Sequence, residues 1–225
     1  MSVAGSPLAA AQDEFPSARA LQIGDTAIDF ERFAESVDCM CDELRACGVS
    51  RGSRVAVVMC DGLDAVLAWH ALVCLGSVIV PVDLCDGRQV DAMSYGRVDC
   101  VLAPAQFDEV LEDIAEYLGA HDSPCPLFCI GDEFTVLDVN GGAALRPTGD
   151  VAVTANELRP GETAESLLAE ANAVAGSRDY RPGARIELDG DLTVRSRIVV
   201  TLASVASGAC LHLAAASSSG GGGPN

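Results

Sequence analysis

Apolar residues along this chain come in two textures. One is a short unbroken run rich in β-branched residues: RVAVVM from Arg54, VIVPVD from Val78, CVLAP from Cys100 and PLFCI from Pro126. Runs of that length, apolar throughout, suit strands buried on both faces. The other has helical spacing. Phe33, Val37, Met40, Cys41 and Leu44 fall on one helix face, with Gly48 as the C-terminal stop, and Phe107, Val110, Leu111, Ile114 and Leu118 do the same in FDEVLEDIAEYL. LDAVLAWHALVCL is apolar on nearly every side, which predicts a helix covered by neighbours. ALQI and TAIDF flank Gly24-Asp25, the strongest short hairpin signal in the chain.

Taken in order, these segments alternate strand and helix. A weaker helix is expected near 88–95, then FTVLDV and VAVT as strands, a helix from Thr163 to Ala175, a polar connection YRPGAR, and an apolar stretch from Ile198 to Ala214. Alternation with uniformly apolar strands predicts an α/β fold: three layers, a mostly parallel sheet with helices on both faces. Residues 1–18 show no sustained period and are expected to be a flexible N-terminal segment, residues 19–215 one domain, and the Ser/Gly-rich residues 216–225 a flexible tail.

Charge narrows the function. There are 33 acidic residues against 14 basic ones, every basic residue is arginine, and no residue is lysine. Nucleic acid and anionic membranes are poor partners for such a surface, because both need clustered positive charge. Chemistry that requires an amine, such as a Schiff base or a Walker lysine, is excluded within these residues.

Ten cysteines suggest a disulfide framework, yet Cys60, Cys74, Cys100 and Cys129 sit inside apolar runs, where cysteine acts as a small hydrophobe. The N-terminus has no basic region followed by an apolar stretch, so a cytoplasmic location with reduced thiols is expected. Cys39-x-Cys41, Cys125-x-x-x-Cys129 and Cys210-x-His212 lack the paired spacing of a zinc site, and no metal is expected. Two uncharged runs, from Val66 to Val82 and from Ile198 to Ala216, are interrupted by Gly76, Ser77 and Pro81 and by Thr201, Ser204 and His212. Each reads as a buried helix running into a buried strand, not as a membrane span.

The order of segments from Gly24 to Asp83 resembles the opening of the adenylate-forming enzymes, the AMP-binding superfamily of acyl-CoA synthetases, luciferases and nonribosomal-peptide adenylation domains. The residues that carry the resemblance are Leu44, Gly48, Val49, Gly52, Arg54, Val55, Ala56, Gly76, Val80, Pro81 and Asp83. The likeness covers roughly residues 20–138 and continues weakly to about 215. It implies the N-terminal subdomain of that superfamily.

The resemblance gives an address to the glycine-rich stretch NGGAALRPTG, residues 140–149. The family's phosphate loop resembles TSGTTGxPKG. Laid on it, this chain keeps Gly142, Pro147 and Gly149. Asn140 and Gly141 replace the first hydroxyl pair, Ala143 and Ala144 the second, Leu145 a glycine, and Thr148 the lysine. Alanine side chains cannot donate, leucine resists the positive φ that glycine accepts, and Arg146 stands one residue from the expected charge. Gly142, Arg146, Pro147, Thr148 and Gly149 are therefore the candidate binding residues of a degraded loop.

No catalytic residue is assigned. No cofactor is expected, and ATP or AMP with magnesium enters only if the loop still works. The resemblance also implies that the adenine site and the catalytic lysine lie beyond the matched stretch. The expected function is that of a truncated ligase-like protein, inactive alone, acting as a binding or interaction module. The alternative is a subunit of a split acyl-adenylating ligase completed by a partner chain. A homo-oligomer or a protein partner is expected to cover an apolar face.

Three further features have simpler readings. His70 in its apolar helix is expected to be buried and hydrogen-bonded. Asp108, Glu109, Glu112 and Asp113 are expected on a solvated helix face. Arg178, Arg181, Arg185, Arg195 and Arg197 form a local positive cluster that could receive an anion, or pair with Asp179, Glu187, Asp189 and Asp191.

Overall fold

The computed structural model describes residues 6–58, 62–82, 98–104, 127–130, 135–137, 162–188 and 191–213. The expected hairpin is present: β1 (Arg19–Ile23) and β2 (Thr26–Asp29) pair antiparallel around Gly24-Asp25, with Gly24 at φ 54. Asp29 then caps α2 (Phe30–Ala46), its carboxylate accepting the Arg32 N–H at 2.8 Å. That satisfies a donor the helix cannot. The apolar face expected from the sequence is buried, and the helix stops at Gly48, φ 92. There the N–H of Gly48 donates to the Arg45 carbonyl and that of Val49 to the Leu44 carbonyl, both at 2.9 Å. Only a residue at ease with positive φ closes a helix this way.

Next come β3 (Arg54–Val57), α3 (Leu63–Leu75) and β4 (Val78–Pro81), a parallel pair joined by a crossover helix. β3 also pairs in parallel with β5 (Cys100–Pro104), and β5 with β6 (Leu127–Ile130). Antiparallel edges are supplied by β7 (Thr135–Leu137) beside β6 and by β8 (Glu162–Thr163) beside β4. The six-stranded order is β7-β6-β5-β3-β4-β8.

After β8, Thr163 caps α4 (Ala164–Ser177) by accepting the Ser166 N–H. β9 (Arg185–Glu187), α5 (Val194–Ala206) and β10 (Cys210–Leu213) form a second parallel crossover unit. β10 pairs in parallel with β1, giving a second sheet in the order β2-β1-β10-β9. The α/β class and the parallel strands expected from the sequence hold. The division into two sheets is a long-range pairing, between residues near 21 and near 211, that alternation along the chain does not encode.

One continuous core joins both sheets through the helices. It contains Leu21 and Leu211 of one sheet, Val55 and Leu102 of the other, and Phe33, Trp69, Leu72, Leu167, Ile198 and Leu202 between them. This explains α3, which is buried on almost every side because neighbouring helices pack against it.

Two expectations need correcting. Within the segment 1–18 expected to be flexible, the described residues 6–18 contain a helix: α1 (Pro7–Glu14), capped by Ser6 with Pro7 in its first turn. Leu8 and Ala11 are buried against α2 and α5. Phe15, which follows, packs over Gly208, where an added Cβ would lie 2.8 Å from the ring. The helix escapes periodicity because eight residues with two inward positions make too short a pattern. The connection YRPGAR likewise runs into β9, a three-residue strand whose outer residues are exposed. The expected elements at 88–95, FDEVLEDIAEYL with its acidic pairs, VAVT and the 216–225 tail lie outside the described residues.

Candidate functional site

The candidate loop residues Gly142, Arg146, Pro147, Thr148 and Gly149 lie outside the described residues. The nearest described elements on either side are β7 and β8. The chain leaves the six-stranded sheet at β7 on one edge and rejoins it at β8 on the opposite edge, so residues 138–161 link the two edges.

The strand that receives this connection is tied down by charge. Glu162 of β8 accepts from Arg195 Nε at 2.7 Å, and the same guanidinium forks onto Glu170 at 3.0 and 2.6 Å. Arg195 lies on α5 and Glu170 on α4, so one arginine joins three elements. Its hydrogen bonds to Glu170 and Glu162 raise the Arg195 pKa, and the bond from Arg195 lowers that of Glu162. The side chains are partly exposed, which limits the gain. Arg195→Gln is expected to lower stability by about 1 kcal/mol. Urea unfolding checks this, and the difference should shrink in 1 M salt as exposed charges are screened.

The arginine cluster expected from sequence is thereby dispersed. Arg185 Nε donates to Glu187 at 3.0 Å, Arg195 is shared by Glu162 and Glu170, and the buried Arg197 donates to the Leu192 carbonyl at 2.9 Å. Among the acids nearby in sequence, Glu187 pairs with Arg185 as expected. Glu162 and Glu170 come from 33 and 25 residues away, beyond what local charge pattern shows.

Two hollows stand out among the described residues. One, of about 360 Å³, lies at the carboxyl ends of the parallel strands β1, β9 and β10 and is lined in part by Gln22, Arg185, Glu187 and His212. That end of an α/β sheet is where such folds bind ligands. Burial, and then the charge of Arg185, lower the His212 pKa, and Glu187 already neutralises Arg185. The hollow therefore offers donors and acceptors with no surplus positive charge. The other, of about 950 Å³, is an open groove beside α1 lined by Gln12, Asp13, Glu31 and Asn172. Its charge is acidic, unsuited to phosphate.

His70 is buried, its ring edge-on to Phe33 with centroids 5.1 Å apart. The expected hydrogen bond is missing at one nitrogen: Nε2 has no partner among the described residues, nor has Trp69 Nε1 or Thr201 Oγ1. Burial lowers the His70 pKa from the ordinary 6.5 to about 3, so the imidazole is neutral at pH 7. Among the described residues no group of three or more His, Cys, Asp or Glu side chains is placed to hold a metal, and no helix is long and apolar enough to cross a membrane.

With this geometry in hand, comparison with known proteins is informative. No family model matches the sequence. Over 148 residues it is 25% identical to a 2-succinylbenzoate–CoA ligase of Bacillus cereus ATCC 10987, and over 150 residues 27% identical to that of Bacillus cereus ATCC 14579. These alignments take in 63% of this chain and 31% of each ligase. The fold is similar to the N-terminal domain of FACL13 from Mycobacterium tuberculosis, with TM-score 0.68, 20% identity, and 92% of this chain and 55% of that one covered. It is also similar to O-succinylbenzoate coenzyme A synthetase from Bacillus subtilis in complex with ATP and magnesium, with TM-score 0.66, 15% identity, and 92% and 56% covered.

The class these likenesses define is the adenylate-forming superfamily: the relatives and structural neighbours are AMP-binding acyl-CoA synthetases and ligases, matched over their N-terminal subdomain. Within it, the sequence relatives are 2-succinylbenzoate–CoA ligases, and the chain spans about a third of their length, 31%.

Proposed function

We propose that this chain is a ligase-like module that does not form acyl-adenylates by itself and serves as a binding or interaction module. The observation that carries this reading is the side-chain chemistry of residues 140–149. Binding a triphosphate takes amide and hydroxyl donors and a cation to offset charge. NGGAALRPTG offers one hydroxyl, on Thr148, and one cation, on Arg146. Ala143 and Ala144 stand at hydroxyl positions and Leu145 at a glycine. This donor set does not fit ATP with magnesium. Any catalytic lysine also has to come from outside these 225 residues, none of which is lysine.

A second reading has a specific observation in its favour. Because the chain spans 31% of the sequence relatives and 55% of the FACL13 domain, a partner chain could complete a split acyl-adenylating ligase, supplying the adenine site and the lysine. In either reading a second copy or another protein covers an apolar face.

Pyrophosphate exchange separates these outcomes. With MgATP and 2-succinylbenzoate, the substrate named for the relatives, the purified chain is expected to return no label from pyrophosphate into ATP. Exchange by the chain alone overturns the proposal. Exchange that appears only when a second chain is added selects the split ligase.

A further inference from the structure

We propose that Cys41 and Cys74 are a redox-active pair, a modification site at which two thiols close to a reversible disulfide joining α2 to α3. The two helices approach closely here: the Cys41 thiol donates to the main-chain carbonyl of Ala71 at 3.6 Å. Ala71 and Cys74 are three residues apart on α3 and so share a face. Cys74 stands close enough to Cys41 for each thiol to shift the other's ionisation, and Ser6, the residue that caps α1, acts on Cys74 as well.

The pair is asymmetric. Cys41 is buried and Cys74 half-buried. The proximity of Cys74, then burial, push the Cys41 thiol up, whereas the proximity of Cys41 and Ser6 brings Cys74 down against the opposing effect of burial. Cys74 is therefore the more readily ionised thiol, the one that meets an oxidant first, and Cys41 the thiol that resolves the product. Cys39, two residues from Cys41 but exposed, lies off this contact.

The oxidant is a small-molecule disulfide such as oxidised glutathione. The Cys74 thiolate attacks one of its sulfurs, the S–S bond breaks, and one small thiolate leaves, so that Cys74 carries a mixed disulfide. Once Cys74 carries the mixed disulfide, its charge no longer opposes loss of the Cys41 proton. Cys41 loses its proton to water and attacks the Cys74 sulfur, and the second small thiolate leaves. The protein gives up two electrons and two protons, and the small disulfide becomes two thiols.

Peptide mapping tests this on the full chain. After incubation with oxidised glutathione, alkylation of free thiols and digestion with Glu-C and Asp-N, mass spectrometry should find a Cys41–Cys74 cross-link that dithiothreitol removes. The oxidised chain should melt roughly 5–10 °C above the reduced one, because the cross-link constrains the unfolded chain. Cys39→Ser should leave the cross-link intact, and Cys41→Ser should trap glutathione on Cys74. Recovery of Cys41 and Cys74 as alkylated free thiols, or glutathione carried only by Cys39 or Cys47, would overturn the proposal. The wild-type map decides the matter even if a variant fails to fold.

Discussion

Replacing Phe33 with alanine is expected to cost about 3–5 kcal/mol of stability, the range for deleting a fully buried aromatic ring. Phe33 is 0% exposed and sits where α2 meets α3, inside the core shared by the two sheets. Its neighbours are held by their own backbone ladders and cannot collapse into the space. Each kcal/mol moves the melting temperature of a chain this size by about 2–4 °C, so a fall of roughly 10 °C should follow. Urea unfolding gives the free energy directly, and a loss below about 1 kcal/mol would mean that this ring is not part of the core.

Acid exposes a second weakness through the neighbour of that ring. His70 has a folded pKa of about 3 against an ordinary 6.5, the cause being burial. The folded state therefore binds the proton less readily than the unfolded state, and stability falls as pH drops below about 6.5, levelling off near 3. Between pH 7 and pH 4 the loss through this one group is about 3 kcal/mol. Carboxylates such as Glu162 titrate over part of the same range, so the measurement is a comparison: urea unfolding of wild type and His70→Met at both pH values. The variant should lack about 3 kcal/mol of the wild-type pH dependence. Equal pH dependence in the two would show that His70 gains its proton in the folded chain. Phe33→Ala should also flatten the dependence, since removing the ring admits water to the imidazole.

The parts of the fold that were legible in the sequence share a cause. RVAVVM, LDAVLAWHALVCL and VIVPVD declare themselves because buried elements carry few polar residues on the faces they cover, and the hairpin because Gly24-Asp25 meets its turn. α1 had a signal that periodicity ignores: Ser6-Pro7 is a capping residue followed by the residue most at home in a first turn. β9 had none, since RIE is short and its neighbours are polar. The pairing of β1 with β10 brings together the two ends of the described chain, which no local pattern reveals.

Of the candidate site, the address of the loop came from the ordered resemblance around it, and its altered chemistry from reading residues 140–149 against that pattern. What the sequence hid was partnership across distance. Arg195 looked like one of five clustered cations until Glu162 and Glu170 closed on it, and Cys41 and Cys74 looked like two unrelated hydrophobic cysteines until two helices met.

Calorimetric titration of the purified chain with MgATP tests most directly the proposal that residues 140–149 hold no nucleotide. Heats no larger than dilution are expected up to millimolar nucleotide, with a melting temperature that stays constant. A saturable isotherm, with a melting temperature that rises with MgATP as binding to the folded state requires, would contradict it.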